Sequence, residues 1–157
     1  MEKFQITKEG YQKLKSELDN LKTVERTKVI NAIAAAREHG DLKENAEYHS
    51  AKEKQGFIEA QIADLEDKFS RSEIVDISKL SGNKVLFGAT VWLENLDNGK
   101  KVTYKIVSDF EADIDSGRIS AISPVARSLI NKEIGDEVEI KTPGGVLNFE
   151  ILEIKFI

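Results

Sequence analysis

Two stripes of apolar residues, spaced at intervals of three and four positions, dominate the first half of the chain. The first contains Tyr11, Leu14, Leu18 and Leu21, slips in phase at Val24 and continues to Ile33; the second contains Ile58, Ile62, Leu65 and Phe69. Such intervals place side chains on one face of an α-helix. Because His39–Leu42 carries the turn signal between the stripes, the pattern predicts an antiparallel helical hairpin over residues 8–70, with arms of about 45 Å.

The ends of the two predicted helices have recognisable residues. Thr7 is a candidate N-cap for the first helix, and Gly10 lowers helix propensity there but leaves room for another segment of the chain to approach. At the bend, Gly40 suits the left-handed backbone that ends a helix. Asp41 and Glu44 have the spacing of a capping box, which predicts that the second helix opens at Asp41.

From about Glu73 the apolar period changes to two, which predicts β-strands. The predicted strands are 72–76, 89–94, 102–107, 119–122, 138–142 and 146–154. Ser123 and Pro124 predict the N-cap and first residue of a short helix. The predicted fold class is therefore α+β, with a coiled-coil hairpin over residues 1–75 and a mostly antiparallel sheet with one short helix over residues 76–157.

The composition narrows the possible function classes. With 40% hydrophobic and 32% charged residues among 157, the chain is neither a disordered tail, a fibrous repeat nor a membrane span. A net charge of −5 argues against tight binding to free nucleic acid, since phosphate neutralisation needs basic residues. The absence of cysteine excludes disulfides, thiolate nucleophiles and Cys-ligated zinc. No apolar run follows the first residues, so we expect a cytoplasmic protein.

The predicted bend crowds four acidic residues together, namely Glu38, Asp41, Glu44 and Glu47. Like charges at helical spacing repel one another, so packing does not account for them. Asp41 and Glu44 can both face outward at the end of the rod. Mg²⁺ takes one or two carboxylates and keeps its other positions for water and phosphate oxygens. The pair cannot hold such an ion alone, but it can complete a site that another macromolecule half builds.

Other interpretations of the bend stay open at this point. Asp41 and Glu44 can serve only as the cap and the third-position acid of the second helix. His39 and His49, with neighbouring carboxylates, resemble a zinc site, although their separation does not fit one helix turn. A basic cluster near the bend is either a solvated face or a contact with a nucleic-acid backbone. It consists of Arg37, Lys43, Lys52 and Lys54.

At these residues the chain resembles the bacterial Gre family of transcript-cleavage factors, and the resemblance extends over essentially its whole length. It is carried by residues 9–14, 36–59, 87–91, 122–127 and 141–145, of which AREHGDLKENAEYHSAKEKQGFIE is the longest segment. One departure is Thr27, which stands where the family usually has a proline after the arginine. We therefore expect a straighter first helix.

The resemblance implies an N-terminal coiled-coil hairpin and a C-terminal FKBP-like domain that binds RNA polymerase. It implies a transcription elongation factor that inserts its hairpin into the polymerase secondary channel and stimulates the polymerase's own cleavage of backtracked RNA. The factor would not be an enzyme itself and would have no cofactor of its own. Asp41 and Glu44 match the family's essential acids, whose implied role is to share Mg²⁺ within the polymerase active centre.

Further residue roles follow from the same resemblance. Arg37 and Lys52 match a basic patch implied to contact the nascent RNA 3′ end, and Asn45 and Tyr48 lie in the matched motif, where we assign them a positioning role. The implied partners are RNA polymerase and, within that complex, the RNA 3′ end. We expect a monomer with no membrane contact.

The second half leaves two questions open. Ser123 and Pro124 match the part of the globular domain that faces polymerase, but a helix cap with a first-turn proline explains them equally well. An FKBP-like shape also suggests a peptidyl-prolyl isomerase, whose pocket would need the aromatic residues Trp92, Tyr104 and Phe110. For the chain as a whole, the alternative is a factor that blocks the polymerase channel without cleavage, although such a protein would need an altered bend.

Overall fold

The computed structural model describes residues 2–40 and 45–157 and contains two compact units. The first comprises Glu2 and Tyr11–Ser72, and the second comprises Lys3–Gly10 and Glu73–Ile157. The chain therefore passes from the second unit into the first within its first helix. Residues 3–10 and 73–75 belong to the second unit, whereas the sequence division at residue 75 assigns them to the hairpin.

The first unit is built from two long antiparallel helical arms, as the apolar stripes predict. One arm consists of α1 (Lys8–Asn20), a π-helical turn (Leu21–Glu25) and α2 (Arg26–Arg37), and its first residues belong to the second unit. The other arm is α3 (Ala46–Arg71). Their shared core contains Leu18, Val29, Ile58 and Ile62, with Leu21 and Leu65 packed against it.

The π-helical turn explains the slip in the apolar stripe at Val24. Each π turn contains about one residue more than an α turn, so it rotates the helix that follows. After this rotation Val29 and Ile33 of α2 are buried. Thr27, where the resemblance implies a proline, donates its hydroxyl to the carbonyl of Thr23 at 2.8 Å.

Ion pairs and one aromatic pair fix the register of the two arms. Arg26 binds Glu59 through two hydrogen bonds of 2.8 and 2.9 Å, and Lys22 Nζ lies 2.6 Å from a carboxylate oxygen of Glu66. The stacked rings of Tyr11 and Phe69 lie 4.9 Å apart. These pairs join residues distant in sequence and lock the antiparallel alignment.

The second unit contains a five-stranded sheet in the order β5-β4-β3-β7-β6. Its strands are β3 (Thr90–Asn95), β4 (Lys101–Val107), β5 (Arg118–Ser120), β6 (Glu137–Thr142) and β7 (Gly145–Lys155). All neighbours are antiparallel except β4 and β5. Each predicted strand has an observed counterpart, although β5 ends at Ser120 rather than at residue 122, and the predicted short helix is α4 (Pro124–Leu129).

A separate two-stranded sheet pairs β1 (Phe4–Thr7) with β2 (Ser72–Val75). The strand β1 is not among the sequence predictions. Its Ile6 and Thr7 are almost completely buried, so this short segment is an integral part of the second unit. Within residues 2–40 and 45–157, no helix has the length and apolar character needed to cross a membrane.

Candidate functional site

The candidate site lies where α2 stops and α3 begins. We call residues 37–40 and 45–54 the hairpin end. Asp41 and Glu44, together with Lys43, lie outside the residues that the structure describes. The structure describes the residues on both sides of this segment, which are 37–40 and 45–54.

Asn45 organises the start of α3. Its side-chain oxygen accepts a hydrogen bond from the backbone N–H of Tyr48 at 3.0 Å, which makes Asn45 the N-cap. The prediction that this helix opens at Asp41 is wrong, because α3 begins at Ala46. An asparagine caps a helix as well as an aspartate does, and Glu47 supplies the acidic residue in the first turn.

The same side chain also reaches the other helix. The amide nitrogen of Asn45 donates to the carbonyl of Ala36 at 2.5 Å. That carbonyl lies in the last turn of α2, where carbonyls lack partners within the helix, and it also accepts from the N–H of His39 at 3.1 Å. Gly40 follows with a φ of +105°, so the expected positive-φ glycine at the end of this helix is confirmed.

Aromatic and charged side chains make further contacts at the hairpin end. The guanidinium carbon of Arg37 lies 5.9 Å from the ring centre of Tyr48, a cation–π distance, and the Tyr48 ring meets His49 edge-on at 5.6 Å. His39 Nε2 lies 3.4 Å from a carboxylate oxygen of Glu47. Within residues 2–40 and 45–157, no three metal-ligating side chains converge, so the zinc interpretation gains no support there.

The basic side chains of the hairpin end face solvent. Arg37, Lys52 and Lys54 are exposed, and Lys52 Nζ donates to the side-chain oxygen of Gln55 at 3.1 Å. No carboxylate of the described residues lies within ion-pair distance of these three cations. Their charge is therefore not neutralised by a carboxylate of the described part of the chain.

Sequence reasoning missed two features of this site. The Asn45–Ala36 hydrogen bond joins residues nine positions apart and depends on the hairpin closing, so no local pattern reveals it. The contact between His39 and Glu47 has the same origin. The cap itself had a visible signal, because an asparagine followed two residues later by an acid is typical of a helix start.

Ser123 and Pro124 lie at the start of α4 in the second unit. The Ser123 hydroxyl donates to the carbonyl of Ser120 at 2.6 Å and accepts from the N–H of Ala126 at 3.2 Å. Pro124 is the first helical residue. The predicted cap is thus confirmed, and the role of these residues toward polymerase stays a prediction. The neighbouring Ile122 side chain is 61% exposed.

The aromatic residues considered for an isomerase pocket are separated. Tyr104 pairs with Val91, so it lies on the face of the sheet opposite to Trp92. Lys155 Nζ lies 5.6 Å from the Trp92 ring centre, and Phe110 packs edge-on against Phe4 at 5.8 Å. The three rings thus do not line one common pocket.

Comparison with known proteins covers both halves of the chain. Residues 4–74 match the family model described as transcription elongation factor, N-terminal, and residues 80–156 match that described as transcription elongation factor, GreA/GreB, C-term. The proteins named transcription elongation factor GreA from Phenylobacterium zucineum and Caulobacter vibrioides are each 56% identical over 100% of both chains. The one from Haemophilus influenzae is 54% identical over 100% of both chains. A solved structure of GreA factor homolog 1 from Thermus thermophilus is 28% identical, covering 97% of this chain and 98% of its own, with a TM-score of 0.45.

Proposed function

The chain belongs to the GreA/GreB family of transcription elongation factors, and from this premise we propose that it stimulates RNA polymerase to cleave backtracked nascent RNA. In this proposal the polymerase supplies the active centre, and the factor acts as an activator rather than as an enzyme. A monomer inserts the hairpin end through the polymerase secondary channel. The second unit docks at the rim of that channel with the surface that carries Ser123 and Pro124.

The observation that supports this proposal most directly is that hydrogen bonds of Asn45 join the two helices at the end of a long hairpin. The 26 residues of α3 span about 39 Å, which is longer than a small domain needs to bury its own core. Asn45, the residue that follows segment 41–44 in the sequence, joins the first turn of α3 to the last turn of α2. An arm of this length with an organised end suits delivery of side chains into a deep channel.

We propose that Asp41 and Glu44 are the side chains delivered. Their carboxylates are hard-oxygen donors, and Mg²⁺ binds one or two of these while keeping other positions for water and phosphate. Two carboxylates do not enclose the ion, so its remaining ligands come from polymerase. When bound there, Mg²⁺ lowers the pKa of a water molecule and offsets the charge of the reacting phosphate.

The other residues of the hairpin end act on the RNA or on the acids. Arg37 and Lys52 carry exposed charges without a carboxylate partner among the described residues, and we assign them to the phosphates of the RNA 3′ segment. Asn45 and Tyr48 hold the helix ends in place. In hydrolysis the water oxygen forms a bond to phosphorus as the bond from phosphorus to the 3′ oxygen breaks. The released fragment keeps the phosphate, and the retained RNA gains a 3′ hydroxyl that polymerase extends.

A backtracked elongation complex with end-labelled RNA tests this proposal. Adding the protein with Mg²⁺ is expected to shorten the RNA to products that grow again when nucleotides are supplied. The protein alone is expected to leave the same RNA intact. Stalled RNA of full length would contradict the proposal and identify a factor that blocks the channel, and cleavage by the protein alone would identify a nuclease.

A further inference from the structure

One face of α3 carries a large apolar side chain that the hairpin does not bury. Phe57 is 65% exposed, whereas its neighbour Ile58 lies in the core shared by the two arms. Phe57 comes three residues after Lys54 and four residues before Gln61, and these intervals place the three side chains on one face of the helix. We call Lys54, Phe57 and Gln61 the Phe57 face.

Open grooves between the two arms flank Phe57 along this face. Lys54 lines a groove of about 420 Å³ on the side of the hairpin end, and Gln61 lines another of about 340 Å³ beside the π-helical turn. The other side chains lining the first groove are Ala32, Ala46, Glu47, Ser50 and Ala51, and those lining the second are Glu17, Asn20, Leu21, Asp64 and Leu65. A partner that covers Phe57 can therefore also fill the space on either side of it.

The basic cluster near the bend is divided between two faces of the hairpin. Lys52 comes four residues after Tyr48, whose ring contacts Arg37, so these three side chains lie on the same side. Lys54 lies about 200° around α3 from Lys52, because each residue turns an α-helix by about 100°. The side that carries the residues assigned to the RNA therefore does not include Lys54, which shares a face with Phe57 instead.

We propose that the Phe57 face binds a protein segment in the wall of the polymerase channel, which presents an apolar side chain to Phe57 and a carboxylate to Lys54. The inference rests on the proposed function, in which the channel surrounds the hairpin. Aromatic side chains are frequent anchors of protein interfaces. Lys54 is exposed, and no carboxylate of the described residues lies within ion-pair distance of it, so its charge complements an acidic side chain of the partner.

The charges around Phe57 favour protein over RNA as the partner. Glu47 lines one groove and Glu17 lines the other, and carboxylates repel the phosphates of RNA. Among the described residues that line the two grooves, Lys54 is the only cation. A protein segment can place neutral side chains beside both acids and a carboxylate at Lys54, whereas an RNA strand carries a phosphate at every nucleotide.

Ile30 on the other arm provides a control position. Its side chain is 50% exposed, but it is not among the described residues that line either groove. It lies four residues after Arg26, which binds Glu59, and Glu59 lies about 200° around α3 from Phe57. Single exposed apolar side chains are common on protein surfaces and do not by themselves indicate an interface. We therefore assign no partner to Ile30.

Binding to core RNA polymerase that is free of nucleic acid tests the kind of partner. Phe57→Gln is expected to weaken this binding about tenfold, since a few aromatic anchors carry much of the energy of an interface. Lys54→Gln is expected to weaken it about threefold, as for an exposed ion pair. Ile30→Gln, which also replaces an exposed apolar side chain, should change it by less than about twofold, and thermal unfolding followed by circular dichroism checks that all three variants fold.

Several results of this comparison would overturn the proposal. They are unchanged binding by Phe57→Gln, an equal loss in Ile30→Gln, and no binding by the unchanged chain. An effect of Lys54→Gln that appears only when RNA is present would identify an RNA contact and overturn it as well. If the unchanged chain binds polymerase but promotes no cleavage, the proposed function fails, whereas the binding comparison still decides whether the Phe57 face is an interface.

A photoreactive amino acid identifies the contacted molecule directly. With p-benzoylphenylalanine in place of Phe57, light is expected to join the factor to a polymerase polypeptide in a backtracked complex, and not to its labelled RNA. The cross-linked peptide is expected to contain an acidic residue near the attachment point. Replacing that residue with lysine should restore the binding of Lys54→Glu. A cross-link to RNA, no cross-link, or no restoration would overturn the proposal.

Discussion

The side-chain amide of Asn45 donates to the backbone carbonyl of Ala36 across the end of the hairpin, at 2.5 Å. With its oxygen, the same side chain caps α3 at the N–H of Tyr48. One residue thus joins the last turn of one helix to the first turn of the next. The contact between the two helix ends therefore depends on a side chain that has both a hydrogen-bond donor and an acceptor.

Two substitutions of Asn45 separate these contributions. Asn45→Ala removes both hydrogen bonds and is expected to cost about 1 kcal/mol of hairpin stability through loss of the cap. Asn45→Ser keeps an oxygen for the cap but has no amide to reach Ala36. Urea unfolding followed by circular dichroism measures stability, and RNA cleavage measures positioning. We expect Asn45→Ser to retain most of the stability but to lose cleavage nearly as much as Asn45→Ala. Full cleavage by Asn45→Ser would show that the contact with Ala36 is dispensable.

The ring of Tyr48 gives a second prediction. Tyr48→Phe keeps the face on which Arg37 lies, so we expect it to preserve stability and cleavage. Tyr48→Leu removes the ring, and the expected loss is about 0.5–1 kcal/mol, as for an exposed cation–π pair. A double-mutant cycle with Arg37→Gln measures the coupling between the two side chains. A coupling energy near zero would show that the contact does not stabilise the hairpin end.

Two helical glycines are expected to respond to alanine with opposite signs. At Gly56 of α3 nothing lies within 4 Å of the added methyl group, so Gly56→Ala should stabilise the helix by up to about 1 kcal/mol. At Gly10 the methyl would displace the Glu111 carboxyl group, which would then lose its hydrogen bonds with Thr7 and Ser108, and the loss of such buried partners costs about 1–3 kcal/mol. Unfolding midpoints in urea compare the two variants, and a stabilised Gly10→Ala would contradict the close approach of Glu111.

The Arg26–Glu59 pair predicts a pH dependence. Hydrogen bonds from the Arg26 guanidinium hold the pKa of Glu59 below its ordinary value. A carboxyl group with a lowered pKa in the folded state adds stability above its unfolded pKa, and this contribution disappears as the pH falls through the lowered value. Unfolding of the unchanged chain and Glu59→Gln should therefore differ at pH 7 and converge in acid. Because both groups are exposed, we expect the difference to shrink with added salt as well, and a difference that grows in acid would contradict this reading.

The sequence predicts the helices of this molecule better than their contacts. The apolar stripes between Tyr11 and Phe69 predict the hairpin because each helix buries one face. The strands after Glu73 are predicted because apolar residues there recur at every second position. The slip at Val24 is visible in the sequence, but the π-helical turn behind it becomes apparent only when both helices bury their stripes. The fold class is therefore predictable, whereas the local irregularity depends on tertiary packing.

The errors come from local patterns that tertiary contacts override. Asp41 and Glu44 have the spacing of a capping box, yet Asn45 caps α3, where its amide also reaches Ala36. At Gly10 the sequence indicates a close approach, but the partner Glu111 lies about a hundred residues away and no local pattern points to it. Contacts between distant segments were thus the part of the site that sequence reasoning could not specify.

Asp41→Asn tests most directly whether the hairpin delivers a carboxylate to the polymerase active centre. Asparagine has nearly the same size as aspartate and removes only the charge, and Asn45 rather than Asp41 caps α3, so folding and polymerase binding should be unchanged. In a backtracked complex at saturating factor, RNA cleavage by this variant should fall to the level of polymerase alone, while competition with the unchanged chain shows normal binding. Cleavage by Asp41→Asn at the rate of the unchanged chain would contradict a role for this acid in the reaction.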